Sequence, residues 1–310
     1  MVPIDVRSKQ DVVATDIRLG AGAWSSLISP FGAELTSLRH DEAGEFIWQA
    51  GDDSWRRQAP LLFPTIGRYP DGLVRIGSAA LALPPHGFAP VRSFTVLEQH
   101  EASCRMELVD DDETRALYPF AFRLTVDFVL GADGLDMTIE VHNPSADTVL
   151  PFMLGGHPGF VWPLPGAGEA EAHRLWFSET EQSQMVVLAG AADAGDRTFS
   201  FDGRVAEPAK MDFFGLTHAL SPVRSDRVTF GTEAVHVALS YEGFANLAIW
   251  RRDTAPFLCL EPWTNLPIAV DRPTQFADLP DIERLEPGRS RRFSMRIAPG
   301  GTKLGGAPQS

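Results

Sequence analysis

Two neighbouring segments in the middle of the chain alternate between apolar and polar side chains. In residues 122–130 every even position is apolar, and in residues 135–142 every odd position is apolar. Successive side chains of a strand point to opposite faces of its sheet, so each segment is predicted to be a strand with one buried face. Residues 131–134, Gly-Ala-Asp-Gly, suit a turn between them. The pattern therefore predicts a β-hairpin.

Shorter apolar segments recur along the whole chain between prolines and glycines. The 24 prolines and 27 glycines are spread throughout, which is typical of short strands joined by turns. No segment keeps a helical apolar period for three turns, and only short helical turns are predicted, near 54–58 and at 111–117. Further strands are predicted at 45–48, 73–83, 93–98, 103–109, 149–154, 174–178, 227–230, 235–241, 246–250, 256–260 and 292–297.

This number of strands favours an all-β fold, a large antiparallel sandwich. We find no internal repeat and no low-complexity linker, and the Pro/Gly cluster at 163–168 is expected to be a loop inside one domain. We therefore expect a single domain over residues 1–298, followed by a loose C-terminal tail over 299–310.

The net charge of the chain disfavours two classes of binding partner. Its 310 residues include 27 Lys and Arg against 41 Asp and Glu, a formal net charge of −14. Neutralising phosphates needs clustered basic residues, so nucleic acid and anionic membranes are not expected partners. No apolar run approaches the roughly 18 residues that span a bilayer. The first residues lack the apolar core of a secretory signal.

The two cysteines, Cys104 and Cys259, each lie in an apolar stretch far from the other. We expect buried, reduced thiols in a cytoplasmic protein, although a disulfide stays open. The chain has no CxxC or HExxH spacing, which disfavours a zinc site. We expect no metal and no cofactor.

The segment FMLGGHPGF at 152–160 places His157 after two glycines and before a proline. The glycines remove side-chain bulk beside the imidazole, and the proline fixes the backbone after it. A histidine can give or take a proton near neutral pH. We favour a functional imidazole here over a turn of purely structural purpose.

The segment FLCLEPWT at 257–264 ends an apolar run in Glu261 and Trp263. Such a carboxylate lies either at a solvent rim or in a partly dry pocket. In the second case desolvation raises its pKa and makes it a better base. The tryptophan offers a flat apolar face of the kind that packs on sugar C–H groups.

Two further segments contain single polar residues whose role the sequence leaves open. Arg68, in FPTIGRYPDG, is either a surface arginine at a turn or a guanidinium aimed at substrate oxygens. His86, in PPHGFAP, is either structural or lies where the backbone at Gly87 approaches a ligand. No GxGxxG, GxxxxGK[ST] or GxSxG motif offers a competing nucleotide-binding or hydrolase site.

Taken in order, these segments resemble the aldose 1-epimerase (galactose mutarotase) family, and in particular its LacX-like bacterial branch. The resemblance extends over nearly the whole chain and implies a β-supersandwich with a sugar site in a cleft on one sheet. The matching pieces are LLFPTIGRYPDG, LPPHGFAPVRSF, PFMLGGHPGFVWPL, FLCLEPWTNLP and LEPGRSRRFSMRI.

The resemblance also implies roles. His157 matches the general acid of the family and Glu261 its general base, while Arg68 and His86 match residues that contact the sugar. We add Trp263 to the substrate-binding residues. The resemblance implies no metal, nucleotide or redox cofactor.

The chain departs from the family at two places. The family usually has an arginine directly after HGFA, where this chain has Pro90, with Arg92 two residues later. Relatives that act on hexose 6-phosphates use extra arginines, so this loss disfavours a phosphosugar. In GLTHALSP, Thr217 and His218 stand where the family usually has a sugar-binding aspartate. Either His218 replaces that contact, or the sugar preference has changed.

The resulting hypothesis is an isomerase that interconverts the anomers of a free aldose. Its partner would be a small-molecule sugar, and the chain would be a monomer or a homodimer. Three alternatives stay open: a non-catalytic sugar-binding module on the same fold, a hexose-6-phosphate mutarotase, and a glycoside hydrolase. The hydrolase would need two carboxylates flanking the bond, and only Glu261 lies in a convincing context.

Overall fold

The computed structural model describes residues 15–51, 54–69, 72–189, 192–267 and 275–304. Antiparallel strands dominate these ranges. The helical elements in them are one short helix, α1 (Asp112–Leu117), and five 3₁₀ turns of three residues each. The strands, in chain order, are β1 (Ile17–Ala21), β2 (Trp24–Ser29), β3 (Glu34–His40), β4 (Gly44–Glu45), β5 (Leu61–Leu62), β6 (Leu73–Ile76), β7 (Ala79–Ala82), β8 (Thr95–Gln99), β9 (Ser103–Val109), β10 (Arg123–Gly131), β11 (Gly134–His142), β12 (Leu150–Phe152), β13 (Gly155–Gly156), β14 (Gly159–Val161), β15 (Arg174–Phe177), β16 (Gln184–Ala189), β17 (Ala192–Ser200), β18 (Val205–Ala206), β19 (Leu216–Leu220), β20 (Arg227–Gly231), β21 (His236–Glu242), β22 (Asn246–Trp250), β23 (Phe257–Trp263), β24 (Glu283–Leu285) and β25 (Ser290–Gly300).

Two large sheets form the body of the molecule. One has nine strands in the order β18-β15-β20-β21-β25-β11-β10-β9-β8. The other has the order β17-β16-β19-β22-β23-β13-β5, with β14 also paired to β23. Smaller sheets join β1 to β4, β12 to β24 and β6 to β7. The pairs of neighbouring strands are antiparallel, which confirms the predicted all-β, antiparallel fold class.

The β10–β11 hairpin forms as the alternation predicts. Its register runs from Arg123 opposite His142 to Gly131 opposite Gly134 at the turn. The apolar positions of both strands are buried in the core, except Met137, which is partly buried against it, whereas outward positions carry charge pairs. One of these joins Arg105 of β9 to Asp127 of β10, with Nε and Oδ1 2.6 Å apart. Hydrophobic burial therefore fixes one face of this sheet, and surface ion pairs cover the other.

The nine-stranded sheet packs behind β13, the strand that directly precedes His157. The side chain of Met295 in β25 fills the space where a Cβ on Gly156 would lie. Phe128 of β10 and Leu135 of β11 line a small apolar cavity together with Met295 and His157. The core of the sandwich thus reaches the back of the candidate site, so that the position of this strand is set by packing.

Two sequence expectations differ from the structure. Residues 54–58 form no helical turn beyond a single turn residue at Ser54; Gln58 instead bonds through its backbone to Glu34 and Gly159. Residues 299 and 300, which the sequence assigns to a loose tail, belong to β25, which runs to Gly300. The 3₁₀ turn after it is held by backbone bonds to residues 233 and 234. Residues 305–310 lie outside the described ranges.

Of the helices in the described ranges, none is long and apolar enough to cross a bilayer.

Candidate active site

The candidate site lies where β13 meets β23 in the eight-stranded sheet. Gly155 of β13 pairs with Trp263 of β23, and His157 follows β13 by one residue. Along β23 the side chains of Cys259, Glu261 and Trp263 share one face, because strand side chains alternate. The other face, with Leu258 and Leu260, belongs to the main core.

His157 and Glu261 lie side by side on this face. Nε2 of His157 and Oε2 of Glu261 are 3.0 Å apart, and the two side chains are 8% and 1% exposed. Burial raises the pKa of the Glu261 carboxyl, while His157 and the Trp263 indole N–H act against that rise. A carboxylate with a raised pKa beside an imidazole is a base next to a proton donor.

The His157 imidazole is enclosed by aromatic rings. The Trp55 ring stacks on it at a centroid distance of 4.9 Å and an interplanar angle of 29°. Trp250 and His86 approach it edge-on, each at 5.6 Å. Its backbone N–H donates to the carbonyl of Pro60 at 3.1 Å. Its buried Nδ1 has no hydrogen-bond partner within the described ranges.

His86 is held in a strained backbone conformation. Its φ is 65°, in the left-handed region that residues other than glycine rarely adopt. Its backbone N–H donates to the carbonyl of Gly67 at 2.8 Å, and the Gly67 N–H donates to its Nδ1 at 3.2 Å. Such strain persists only where the surroundings enforce it, and it is common at functional sites.

Burial fixes the charge of the His86 ring, and its hydrogen bond from Gly67 fixes the tautomer. Burial lowers its pKa to about 3, assisted by the charges of His157, Arg68 and Arg57. The ring is therefore neutral near pH 7, and because Nδ1 accepts a hydrogen bond, the proton is on Nε2. His86 can offer one N–H donor that does not titrate in the neutral range.

Arg68 and Trp263 differ in accessibility. Arg68 is exposed, and its charge is close enough to lower the pKa of His86. Trp263 is only 3% exposed, and its ring contacts the strand at Gly155, where a Cβ would lie 2.7 Å from its Cδ1. Trp263 thus borders Glu261 from within the protein, while Arg68 reaches solvent.

The model of the aldose 1-epimerase family matches residues 15–263, most of the chain. The chain belongs to the aldose 1-epimerase family.

Individual relatives of this aldose 1-epimerase family member are distant. It is 26% identical over 279 residues to the LacX proteins of Lactococcus lactis subsp. lactis, plasmid and chromosomal, which covers 83% of this chain and 90% of theirs. It superposes on a galactose mutarotase related enzyme from Lactobacillus acidophilus with a TM-score of 0.85 at 24% identity, covering 93% and 98% of the two chains. A galactose mutarotase-like protein from Lactobacillus casei gives 0.79 at 24% identity, covering 92% and 100%. The solved structures confirm the fold.

In this family member, the sheet register separates His218 from Glu261. Side chains directly opposite each other in a ladder share a face. Glu261 opposes Ala248, and Ala248 opposes Ala219, whereas His218 opposes Ile249 on the core face. His218 is 2% exposed between Phe199 and Phe213, and burial lowers its pKa to about 4. The expectation that His218 could replace the sugar contact therefore conflicts with its position; Thr217 lies on the Glu261 face.

An arginine that the sequence analysis did not single out, Arg57, contacts the residue that follows the HGFA segment in this epimerase family member. Arg57 donates a hydrogen bond to the Pro90 carbonyl, and its Nε lies 3.4 Å from the buried Glu34 carboxylate. Arg92, by contrast, pairs with Glu113 of α1 at 2.6 Å. Sequence reasoning missed Arg57 and Glu34 because their contacts join segments far apart in the chain.

One group of side chains in the described ranges could offer metal ligands. The ligand atoms of His157, Cys259 and Glu261 all lie within 4.8 Å of one another. Burial, followed by the charge of Glu261, raises the pKa of the Cys259 thiol well above its usual value. Transition metals bind the thiolate, so a thiol held protonated is a poor third ligand. These residues fit a proton-transfer pair better than a resident metal.

Proposed function

We propose that this protein is a mutarotase that interconverts the α and β anomers of a free aldose. The observation that carries the proposal is the buried pair of His157 and Glu261, with Nε2 and Oε2 3.0 Å apart. Mutarotation needs a proton removed from the C1 hydroxyl and another supplied to the ring oxygen. Both oxygens are bonded to C1, so an acid and a base side by side can serve them together.

In this mechanism Glu261 takes the proton from the C1 hydroxyl. The electrons form the C1 carbonyl as the bond from C1 to the ring oxygen breaks, and His157 protonates that oxygen. The C1–C2 bond of the open aldehyde then rotates. On closure the groups exchange roles: His157 removes the hydroxyl proton and Glu261 returns one to the carbonyl oxygen. Each general acid or base typically contributes on the order of 10²–10⁴-fold.

Arg68 and His86 would hold the sugar during this exchange. His86 supplies a neutral Nε2–H donor, and Arg68 supplies a guanidinium that can bind two oxygens. Trp263, buried beside Glu261, supports the carboxylate from behind and would contact the sugar only at its edge. Proton transfer by this pair requires no metal, nucleotide or redox cofactor.

The positions of the arginines favour an unphosphorylated sugar. A phosphate dianion needs a bidentate arginine or several close donors. Arg92 is paired with Glu113, and Arg57 is shared between Glu34 and the Pro90 carbonyl. Near His86 this leaves Arg68 as the one arginine for which the described ranges give no ion pair.

A hexose-6-phosphate mutarotase is the second candidate. It is supported by one observation: Arg57 and Arg68 both lie close enough to His86 to lower its pKa. Displacement of Arg57 from Glu34 would give a phosphate two guanidinium groups. A non-catalytic sugar-binding module is disfavoured, because a binder needs no proton donor next to a desolvated base. The cytoplasmic location and the monomeric or homodimeric state stay predictions.

Anomer exchange measured by NMR tests the proposal directly. Purified protein should accelerate exchange of free aldoses, with glucose and galactose as first probes, and should act more slowly on glucose 6-phosphate at equal concentration. Faster exchange of the phosphate ester, lost in Arg57→Ala, would establish the second candidate. Sugar binding without any accelerated exchange would identify a binding module.

A further inference from the structure

The orientation of His157 is not fixed in the usual way. A functional imidazole commonly donates or accepts a hydrogen bond at the nitrogen that does not react, and that bond sets its plane. Here Nε2 lies against Glu261, while the buried Nδ1 has no hydrogen-bond partner in the part of the chain that the structure describes. With a polar contact at Nε2 alone, the tilt of the ring about that contact depends on packing.

Trp55 supplies the largest stacked surface against that ring. The two planes are within 29° of parallel at a centroid distance of 4.9 Å. The indole is itself held by Phe257, stacked at 5.2 Å, and by the edge of Trp250 at 5.6 Å. An indole packed in this way can fix the tilt of the imidazole and can also stabilise positive charge on it.

Gly159, the first residue of β14 and two residues after His157, makes room for the stack. A Cβ on Gly159 would lie 2.7 Å from Cζ3 of Trp55 and 3.2 Å from the Gln58 carbonyl oxygen. The first contact is with a rigid ring and the second with backbone, so a larger residue would displace the indole. This gives the last glycine of GGHPG a purpose that a turn does not require.

Backbone hydrogen bonds fix the two segments relative to each other. His157 donates to the carbonyl of Pro60, and Gly159 donates to that of Gln58 at 2.8 Å. The Trp55 segment is in turn anchored by Glu34, which accepts from the Gln58 and Ala59 N–H groups at 2.7 and 3.1 Å. The indole and the imidazole are thus placed by the same short ladder.

We propose that Trp55 is a positioning residue for His157: its indole, admitted by Gly159, holds the imidazole in the plane that brings Nε2 to Glu261. The proposal rests on the proposed mutarotase function. Trp55 acts through His157 and not on the sugar. Its removal should therefore lower kcat and leave KM nearly unchanged.

The kinetic test uses Trp55→Leu, Trp55→Phe and Gly159→Ala. Leu should lower kcat for anomer exchange by about tenfold to a hundredfold, as expected for a misplaced catalytic group. Phe restores a stacked ring and should recover most of kcat, whereas Ala at 159 should behave like Leu at 55. In a His157→Asn background, Trp55→Leu should change the residual rate by less than about twofold, because coupled residues are not additive.

Trp24→Leu is the matched control. Trp24 also contacts a histidine, His40, edge-on at 4.7 Å, but in the β1–β4 sheet. The thermal unfolding midpoint of Trp24→Leu should fall, while the kcat of the folded variant stays at the wild-type value. Equal losses from Trp55→Leu in the wild-type and His157→Asn backgrounds would show a merely structural role. A raised KM with kcat retained would make Trp55 a sugar contact. Either result overturns the proposal.

Histidine ring-proton NMR gives a readout that does not depend on turnover. The His157 signals, identified by their loss in His157→Asn, should lie upfield in the wild type because of the indole ring current. They should move downfield in Trp55→Leu and Gly159→Ala but not in Trp24→Leu. Unshifted signals in both site variants would refute the stack. If wild-type protein exchanges no anomers, the proposed function fails, while this measurement still decides whether Trp55 orients His157.

Discussion

In the β10–β11 hairpin the inward positions are apolar and the outward charges are paired, whereas the β13–β23 junction buries a carboxylate, an imidazole and an indole N–H together. Glu261 and Trp263 are almost fully buried there, and Oε2 and Nε1 lack well-formed hydrogen bonds within the described ranges. Burying poorly satisfied polar groups costs stability. The hairpin therefore follows the rules that stabilise a sheet, whereas the junction breaks them at a cost in stability, as functional sites commonly do.

The largest effect is expected when the Glu261 charge is removed from the β13–β23 junction. Glu261→Gln keeps the volume and removes the base, so anomer exchange should fall on the order of 10²–10⁴-fold. NMR exchange at saturating sugar measures this. A residual rate above about a tenth of wild type would reject Glu261 as the base.

The same variant tests the cost of the buried carboxylate. Because its folded pKa is raised, Glu261 binds its proton more tightly in the folded state. Its favourable contribution is complete below the unfolded pKa of about 4.5 and is lost as pH rises through the folded value. Glu261→Gln should therefore gain stability relative to wild type between pH 4 and pH 7. Thermal unfolding at both pH values checks the sign, and a relative loss toward pH 7 would contradict it.

His157→Asn should come next in size. It removes the acid and should lower kcat by about a hundredfold, with a smaller effect on sugar affinity because Arg68 and His86 remain. Titration of sugar binding alongside anomer exchange separates the two effects. Lost affinity with retained kcat would make His157 a contact and not the acid.

Arg68→Ala should have an intermediate effect on binding. Loss of a charged donor to sugar oxygens should raise KM about tenfold, equivalent to about 1.4 kcal/mol, with a smaller change in kcat. Arg92→Ala is the matched control, because Arg92 is paired with Glu113. An equal KM for the two variants would remove Arg68 from the site.

The smallest effect is expected on the outer face of the hairpin. Arg105→Ala breaks its ion pair with Asp127, in which Arg105 is 45% exposed, and should cost at most about 1 kcal/mol without altering exchange rates. Ile139→Ala, on the buried face of β11, should cost about 2–5 kcal/mol. Urea unfolding of both variants measures the two changes in the free energy of unfolding. Similar costs would show that the outer ladder stabilises more than such pairs usually do.

Sequence patterning was sufficient where one rule decided the local structure. The hairpin strands differ from their predicted ends by one residue, and β9 and β22 match residues 103–109 and 246–250. The strands β1 and β2 were missed, because glycines and serines interrupt the alternation over residues 17–29, and β3 was missed as well. The short strand β13 was missed for a similar reason, since two glycines carry no hydrophobic pattern.

Only part of the candidate site could be predicted from the sequence. His157 and Glu261 stood out because each breaks a local rule: an imidazole among glycines and a carboxylate ending an apolar run. Trp55 and Glu34 gave no such signal, because their partners are brought to them by the fold. The orientation of His218 needed the register of β19, since a shift by one residue reverses the face of every side chain.

The backbone conformation of His86 bears on the pH dependence of the proposed sugar binding and anomer exchange. Its Nδ1 is occupied by the Gly67 N–H and its pKa is about 3, so its remaining N–H presents the same charge and the same direction through mild acidification. Burial raises the pKa of the Glu261 carboxyl above its usual value, so its protonation changes at a higher pH than that of His86. Under the proposed function, sugar binding through His86 would therefore depend less on pH than proton transfer by Glu261 does. Under the proposed function, a fall in pH would slow anomer exchange while the sugar stays bound.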